Sequence, residues 1–237
     1  MMTIVLLPGM DGTDTLYDPL RKASGGYCKL IVASYPVDQV LDYATLETVA
    51  RCYLPVDEDY ILLGESFSGP IAISIAASHP PGLLGLILCA SFASNPKPWL
   101  AHFRHVLPYL PLAAAPAAAL NYFLLGKFST LELRELLVKA LATVLPKVLK
   151  ARMRCVLLID NRHKLASIKV PVHYLYARQD RLVPFSAYTD IYDYLPATLL
   201  HEFDAPHFLL QTKATEVAAL IGDLLPTLKR LNLQNQE

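Results

Sequence analysis

Residues 59–70 read DYILLGESFSGP, and the serine at position 66 raises a question. The apolar run at residues 60–63 has the composition of a strand that is buried on both faces. The apolar stretch at residues 70–77 has the composition of a helix packed on that strand. A lone serine between small residues therefore lies at a tight turn from a predicted strand to a predicted helix, and this polar position needs a chemical explanation.

The composition is that of a folded globular protein. Hydrophobic residues make up 54% and charged residues 18% of the 237 positions, which is enough to form a large core and excludes disorder. This length fits one domain with an insertion or two domains. The formal net charge of zero gives no indication of a nucleic-acid partner. The four cysteines form no CxxC pair, so buried free thiols are predicted in place of a disulfide framework or a zinc site.

Short apolar or β-branched runs alternate with helix-like segments along the chain. The predicted strands cover residues 3–7, 29–34, 60–63, 84–89, 172–177 and 199–203. The predicted helices cover residues 43–54, 67–78, 184–194 and 209–231. Continuous apolar runs are typical of strands with both faces covered. The alternation therefore predicts an α/β fold, with a mostly parallel sheet and helices on both faces.

The alternation stops at residues 95–165, which have helical character over a stretch too long for a structureless loop. We interpret this stretch, called the insertion below, as a helical cap over a core of residues 1–94 and 166–237. It holds eleven Lys and Arg against three acidic residues, so the neutral total hides a basic insertion and an acidic core. Lys147, Lys150 and Arg154, at helical spacing, form either a solvated face or one that attracts an anionic substrate.

Two apolar stretches raise the question of a membrane. The first twelve residues lack a basic region and are interrupted by Pro8 and Gly9, so they do not have the pattern of a signal peptide, and a cytoplasmic location is expected. Residues 106–126 are uncharged and long enough to span a bilayer. Three prolines interrupt them, however, and alanine fills their middle, so no integral membrane span is expected.

A serine at a strand-to-helix turn suits nucleophilic catalysis. Its hydroxyl needs an adjacent base, usually histidine, and that base needs an orienting acid. A tight turn exposes the hydroxyl at the sheet edge, and small residues on either side relieve the crowding. The sequence Gly64-Glu65-Ser66-Phe67-Ser68 resembles the nucleophile elbow of the α/β-hydrolase superfamily, with Ser68 in place of the second glycine of G-x-S-x-G. By itself this match is equally typical of an ordinary glycine-rich turn.

The resemblance extends to two later loops, in the superfamily's order of nucleophile, acid and histidine. Asp180 follows the predicted strand at residues 172–177, and His207 follows the strand at residues 199–203 and precedes the last predicted helix. The resemblance implies that Ser66 is the nucleophile, Asp180 the acid and His207 the base. Taken alone, Asp180 is equally typical of a solvated loop or a helix cap, and most of the seven histidines should be solvated or core residues.

An oxyanion hole needs a second backbone N–H, from the loop after the first strand. Residues 6–13 read LLPGMDGT. By the same resemblance, Gly9 takes the place of the glycine in the superfamily's HG pair, Met10 donates the N–H, and Pro8 replaces the usual histidine. The N–H of Phe67 is the other expected donor. The loop alone is also typical of a glycine-rich turn.

The resemblance implies a serine hydrolase that cleaves a carboxylic ester or thioester through an acyl-enzyme on Ser66. No metal and no cofactor are expected. The expected partner is a small acyl ester or thioester, with an apolar acyl chain against residues 106–126, and no nucleic acid is expected. Acyl transfer or carbon–carbon cleavage on the same triad, and a non-catalytic ligand-binding protein of the same fold, are the alternatives.

Overall fold

One six-stranded sheet organises the molecule. The computed structural model describes residues 2–100 and 117–234. The strands run in the order β2-β1-β3-β4-β5-β6, and every neighbouring pair is parallel. Their bounds are β1 (Met2–Leu7), β2 (Cys28–Val32), β3 (Tyr60–Glu65), β4 (Leu83–Cys89), β5 (Val172–Ala177) and β6 (Leu199–Phe203). All six strands predicted from the sequence are present, so the predicted parallel α/β sheet is confirmed.

Ten α-helices lie within the described ranges. They are α1 (Asp18–Ala23), α2 (Tyr43–Arg51), α3 (Gly69–Ala77), α4 (Ala117–Leu124), α5 (Leu131–Ala142), α6 (Pro146–Leu158), α7 (Arg162–Leu165), α8 (Ser186–Tyr194), α9 (Leu209–Thr212) and α10 (Ala214–Gln234). The prediction of one helix over residues 209–231 was wrong, because the chain leaves helical geometry at Lys213, where φ is −124° and ψ is 32°. Helix α1 was not predicted.

The sheet separates two apolar cores, and this explains the continuous apolar runs. Successive residues of β1 alternate between them: Val5 and Leu7 face one core, while Ile4 and Leu6 face the other. Helices α2, α3 and α8 contribute buried residues to the first core, and α1, α9 and α10 contribute to the second. The central strands β1, β3, β4 and β5 therefore bury both faces, as the composition predicted, whereas the edge strands β2 and β6 are partly exposed.

The chain turns in opposite directions after β1 and after β3, and the space between the two loops that follow these strands is called the crevice below. Strand β1 lies between β2 and β3, so the chain leaves β1 towards one side and leaves β3 towards the other. Loops that diverge at the carboxyl ends of neighbouring parallel strands leave room for a ligand between them. Two segments start at this point: the β1 loop (residues 8–12) and the elbow (residues 64–69).

Between β4 and β5, the chain is helical over most of residues 117–165. Helices α4 to α7 lie there, and an antiparallel bridge between Ser94 and Asp160 joins the two ends of this segment. Residues 101–116, with the greater part of the uncharged stretch 106–126, lie outside the described residues. In the described part of the chain, no helix combines the length and the apolarity that crossing a bilayer requires.

The cysteines differ from their prediction at one position. All four are free, and Cys28 and Cys89 are buried. Cys155 is partly buried, whereas Cys52 is exposed. The prediction of buried thiols was wrong for Cys52, because it caps the C-terminal end of α2 on the outside of the fold.

Candidate active site

The elbow holds Ser66 in a strained backbone conformation. Ser66 has a φ of +47°, which a residue with a side chain rarely adopts. It opens a short 3₁₀ turn, Ser66–Ser68, that leads directly into α3. The strain persists only because the surrounding structure holds it, and such positions concentrate at functional sites. The turn therefore presents the Ser66 hydroxyl at the carboxyl end of β3.

Close packing explains the small residues of the elbow. A Cβ added to Gly64 would lie 2.7 Å from the Cβ of Ala72, so the strand could not approach α3 as it does. A Cβ on Gly69 would overlap the hydroxyl of Ser91 and lie 2.8 Å from its Cβ. That hydroxyl donates a hydrogen bond of 2.5 Å to the carbonyl oxygen of Ser66. The packing against Gly69 thus stabilises the strained residue itself.

The three residues predicted as nucleophile, base and acid lie together. The Ser66 Oγ is 2.8 Å from Nε2 of His207, and Nδ1 of His207 is 2.7 Å from Oδ2 of Asp180. The side chains of His207 and Asp180 are only 7% and 1% exposed. With His207 neutral, Nδ1–H donates to the carboxylate and Nε2 accepts from the serine hydroxyl. The arrangement can move the serine proton onto the imidazole.

Two backbone groups orient the Asp180 carboxylate. Its Oδ1 accepts hydrogen bonds from the N–H groups of Leu182 at 2.7 Å and Val183 at 2.9 Å. The other oxygen is left for His207. The loop after β5 therefore fixes the direction of the acid, and this direction fixes the imidazole ring.

Competing effects set the pKa of His207. Burial favours the neutral imidazole and lowers the pKa, but the charge of Asp180, its hydrogen bond and the charge of Glu65 raise it. The net result is a pKa above the ordinary value of 6.5. A protonated imidazole is thus stabilised at the point where a general base would receive a proton.

The β1 loop is held through its carbonyl groups, each of which accepts a hydrogen bond. The hydroxyl of Ser68 donates to the Pro8 carbonyl, and Arg152 donates to the carbonyls of Met10 at 2.9 Å and Asp11 at 2.8 Å. The N–H of Gly12 donates to the Gly9 carbonyl at 3.1 Å, and the N–H of Tyr35 donates to the Gly12 carbonyl at 2.8 Å. In contrast, the N–H groups of Met10 and Phe67 have no acceptor among the described residues. Two free donors thus lie on the two loops that border the crevice.

Ser68 links these two loops. Its buried hydroxyl donates to the Pro8 carbonyl and accepts a 2.9 Å hydrogen bond from the hydroxyl of Tyr35. In the sequence Ser68 was noted only for its small size. The residues that it contacts are distant in the chain, so no local pattern could have indicated them.

A second acidic group lies beneath the site. Glu65 precedes Ser66, is 6% exposed, and accepts a 2.9 Å hydrogen bond from Nε2 of Gln211. Burial raises its pKa to about 7, and the nearby charge of Asp11 acts in the same direction. Its Oε2 has no hydrogen-bond partner among the described residues. The charge below His207 therefore changes near neutral pH.

The insertion contacts the loops that carry the acid and the base. The guanidinium of Arg181, next to Asp180 in sequence, lies over the ring of Tyr122 at 4.0 Å from its centroid. The N–H of Phe208, next to His207 in sequence, donates to the Leu124 carbonyl at 3.1 Å. Helix α4 thus lies beside both loops.

No group of three or more His, Cys, Asp or Glu side chains is placed to hold a metal ion within residues 2–100 and 117–234. The polar groups gathered at the crevice are those of the Ser66 hydrogen-bond chain, the two free N–H groups and the buried carboxyls beneath them.

Comparison with known proteins identifies the fold. No protein-family model and no curated protein matches the sequence. Among solved structures, a lipase-esterase related protein from Clostridium acetobutylicum ATCC 824 matches at 19% identity over 94% of both chains, with a TM-score of 0.77. The enol-lactonase from Burkholderia xenovorans LB400 matches at 17% identity over 95% of this chain and 91% of its own, also with a TM-score of 0.77. A thermophilic esterase from Thermogutta terrifontis matches at 18% identity over 96% and 90%, with a TM-score of 0.80. At these identities the likeness shows the fold and leaves the reaction open.

Proposed function

We propose that this chain, which has the α/β-hydrolase fold, is a serine hydrolase that cleaves a carboxylic ester or thioester through an acyl-enzyme on Ser66. The observation that carries the proposal is the hydrogen-bonded chain from Ser66 through His207 to Asp180, at the carboxyl ends of β3, β5 and β6. A strained serine joined to a buried His–Asp pair favours catalysis over ligand binding alone, because this arrangement activates the hydroxyl as a nucleophile.

The first half of the reaction forms the acyl-enzyme. Ser66 Oγ attacks the carbonyl carbon of the substrate while His207 Nε2 takes the hydroxyl proton. Asp180 keeps the ring in the tautomer that accepts at Nε2 and stabilises the imidazolium. The imidazolium then gives its proton to the departing alkoxide or thiolate, so the leaving group departs as an alcohol or thiol.

The negative charge on the substrate oxygen needs donors that are already in place. The free N–H groups of Met10 and Phe67 serve this role in the proposal, and removal of one such donor typically costs about 10²–10³ in rate. Water, activated by His207 in the same way, then attacks the acyl-enzyme. The second tetrahedral intermediate collapses to the free acid and restores Ser66.

The insertion, residues 95–165, acts as a cap in this proposal, over a core of residues 1–94 and 166–237. Its described helices contact the loops beside the acid and the base, through Tyr122 with Arg181 and Leu124 with Phe208. A segment in this place selects the substrate, because it borders the crevice in which the reacting carbonyl must lie.

The test combines covalent labelling with a substrate series. The purified protein should be labelled by a fluorophosphonate at Ser66 and should hydrolyse p-nitrophenyl esters with a preference for one range of acyl lengths. Ser66→Ala is the matched control, and it should lose both labelling and turnover while its circular dichroism is unchanged. Folded protein that is neither labelled nor active on any ester or thioester would contradict the proposal.

The same measurements separate the alternatives on the same triad. Labelling of Ser66 without turnover of esters or thioesters would favour acyl transfer to another acceptor or carbon–carbon cleavage. Transfer would then be detected by adding alcohol acceptors and following the formation of the new ester by mass spectrometry.

A further inference from the structure

A buried arginine of the insertion contacts the β1 loop. Arg152 lies on α6 and is 1% exposed, on the same helix face as Val148 and Cys155. Burial of a guanidinium is unfavourable unless hydrogen bonds replace its water. Burial accordingly lowers the pKa of Arg152, although the charge of Asp11 opposes this. Such a residue must make specific contacts to be stable where it is.

Those contacts are with backbone carbonyls. Nη1 of Arg152 donates to the carbonyl oxygens of Met10 at 2.9 Å and Asp11 at 2.8 Å, and Nη2 donates to that of Pro36 at 2.9 Å. The guanidinium also lies over the ring of Tyr35, 5.8 Å from its centroid. In the described chain no carboxylate lies within ion-pair distance of Arg152. The side chain therefore fixes the backbone of two loops and does not complete a salt bridge.

The fixed peptides are those next to the expected oxyanion donor. The Met10 N–H belongs to the peptide between residues 9 and 10, whose carbonyl is held by the N–H of Gly12 at 3.1 Å. Arg152 holds the carbonyls of the next two peptides. Rotation of the Met10 N–H away from the crevice would break the hydrogen bond between Gly9 and Gly12, and any wider movement of the loop would also break those to Arg152. Arg152 thus restricts the conformation of the segment that carries the donor.

Gly12 is matched to the arginine. Its φ of +71° favours glycine, and a Cβ there would lie only 2.5 Å from Nη1 of Arg152. The backbone of Gly12 and the guanidinium therefore pack directly against each other. A residue with a side chain at position 12 would displace the guanidinium from the place where it donates to Met10 and Asp11.

We propose that Arg152 is a positioning residue through which the insertion holds the Met10 N–H in place for the oxyanion of the reaction. This inference rests on the proposed function, since an oxyanion forms only if Ser66 attacks a carbonyl. Arg152 does not touch the reacting atoms. It acts through the β1 loop, and a displacement of α6 would break its hydrogen bonds to the carbonyls of Met10 and Asp11.

The experiment compares Arg152→Met with Arg134→Met, which removes an exposed arginine from α5 of the same insertion. A misplaced oxyanion donor should lower kcat for a p-nitrophenyl ester by about 10²-fold with KM within about threefold of wild type. Ki for phenylboronic acid, whose tetrahedral serine adduct resembles the transition state, should rise by a similar factor. Arg134→Met should leave all three constants unchanged.

Stability is measured alongside, because loss of Arg152 leaves three carbonyls without a donor. Arg152→Lys keeps the positive charge and most of the aliphatic part of the side chain, so it serves as the folded comparison if Arg152→Met is unstable. We expect it to lower kcat about tenfold. In Arg152→Ala, added methylguanidinium should restore kcat in a saturable way, which a purely structural loss would not allow.

The outcomes distinguish the two proposals. A wild-type protein that neither hydrolyses esters nor reacts with fluorophosphonate contradicts the proposed function. An active wild type with folded Arg152 variants of normal kcat and normal boronate affinity contradicts the role of Arg152 alone. A fall in melting temperature without a change of kcat or Ki would likewise assign Arg152 a structural role only.

Discussion

The elbow and the β1 loop border the same crevice but are held by different means. The elbow is fixed mainly by close packing: Ser66 is strained at a φ of +47°, Gly64 packs against Ala72 of α3, and Gly69 packs against Ser91, just after β4. The β1 loop contains no comparable packing of its own. Side chains from other parts of the chain hold it, namely Ser68 from the elbow and Arg152 from the insertion.

The two loops thus differ in where their stabilising contacts come from: neighbouring elements of the sheet for the elbow, and residues distant in the sequence for the β1 loop. The elbow keeps its geometry as long as β3, α3 and the residues just after β4 pack together, because its contacts lie with these neighbouring elements of the sheet. The β1 loop depends on residues far away in sequence, so a change in the insertion reaches it without touching the nucleophile. We therefore expect substitutions at the elbow to disturb Ser66 itself, and substitutions around the β1 loop to disturb only the stabilisation of the oxyanion.

The largest effect is expected from a change that leaves both loops intact. His207→Ala removes the base and should lower kcat by about 10⁴-fold or more, and the double variant His207→Ala with Asp180→Ala should be no worse, because the triad acts as a unit. His163→Ala, at an exposed position of α7, is the control and should keep wild-type kcat. Additive losses in the double variant would mean that Asp180 acts apart from His207.

Breaking the elbow should cost less activity but more stability. Gly69→Ala forces the Ser91 hydroxyl away from the Ser66 carbonyl. We therefore expect the free energy of unfolding, measured in urea, to fall by about 1–3 kcal/mol and kcat to fall about 10²-fold. Gly222→Ala is the matched control, since its Cβ would approach only the Tyr27 ring, at 3.9 Å. It lies in α10, where alanine should keep or raise stability. Equal behaviour of the two variants would show that the elbow is not closely packed.

The same contrast explains what the sequence could predict. Ser66, Asp180 and His207 each follow a predicted strand, and strand ends in a parallel sheet meet at one edge. The strand pattern together with the resemblance to the α/β-hydrolase superfamily was therefore sufficient to predict that they lie together. The free N–H of Met10 is a different case. The sequence indicated its loop, but the hydrogen bonds that orient the loop come from residues 68, 35 and 152.

Arg152 shows why part of the site was not predictable. Lys147 and Arg154 on the same helix are exposed, and in the sequence Arg152 is one more basic residue of a basic insertion. Its spacing of four from Val148 and three from Cys155 places it on the buried face, which is the one signal that the sequence carried. Arginine side chains are mostly exposed in proteins. The spacing alone would therefore not have indicated that Arg152 is buried and donates hydrogen bonds to the β1 loop.

A smaller effect is expected where the two loops are joined. Ser68→Ala removes the donor to the Pro8 carbonyl and leaves that buried oxygen unpaired, so the free energy of unfolding should fall by about 1–3 kcal/mol. The β1 loop should then lose part of its fixed orientation, with a fall in kcat of about tenfold and little change in KM. Ser186→Ala, at an exposed position of α8, should change neither quantity.

The expectation for Ser68 also tests whether size alone matters at this position. Ser68→Gly restores the second glycine of the elbow pattern but removes the same hydroxyl, so it should resemble Ser68→Ala. If Ser68→Gly keeps full kcat, the hydrogen bond to Pro8 contributes nothing to catalysis, and the β1 loop is held without the elbow.

The smallest effect concerns the charge beneath both loops. His207 must be neutral to act as a base, so kcat/KM should fall as pH decreases through its pKa, which lies above 6.5. The charge of Glu65 contributes to this elevation, and Glu65→Gln should therefore move the acidic limb to lower pH. However, Glu65 itself has a pKa of about 7, so its carboxyl carries only part of its charge near neutral pH. The shift should accordingly be small, with kcat at the alkaline plateau unchanged. Glu132→Gln, at an exposed position of α5, should not move the limb. A shift to higher pH, or no larger a shift than in Glu132→Gln, would mean that the charge of Glu65 does not raise the pKa of His207. The elbow would then act on the reaction only through the position of Ser66.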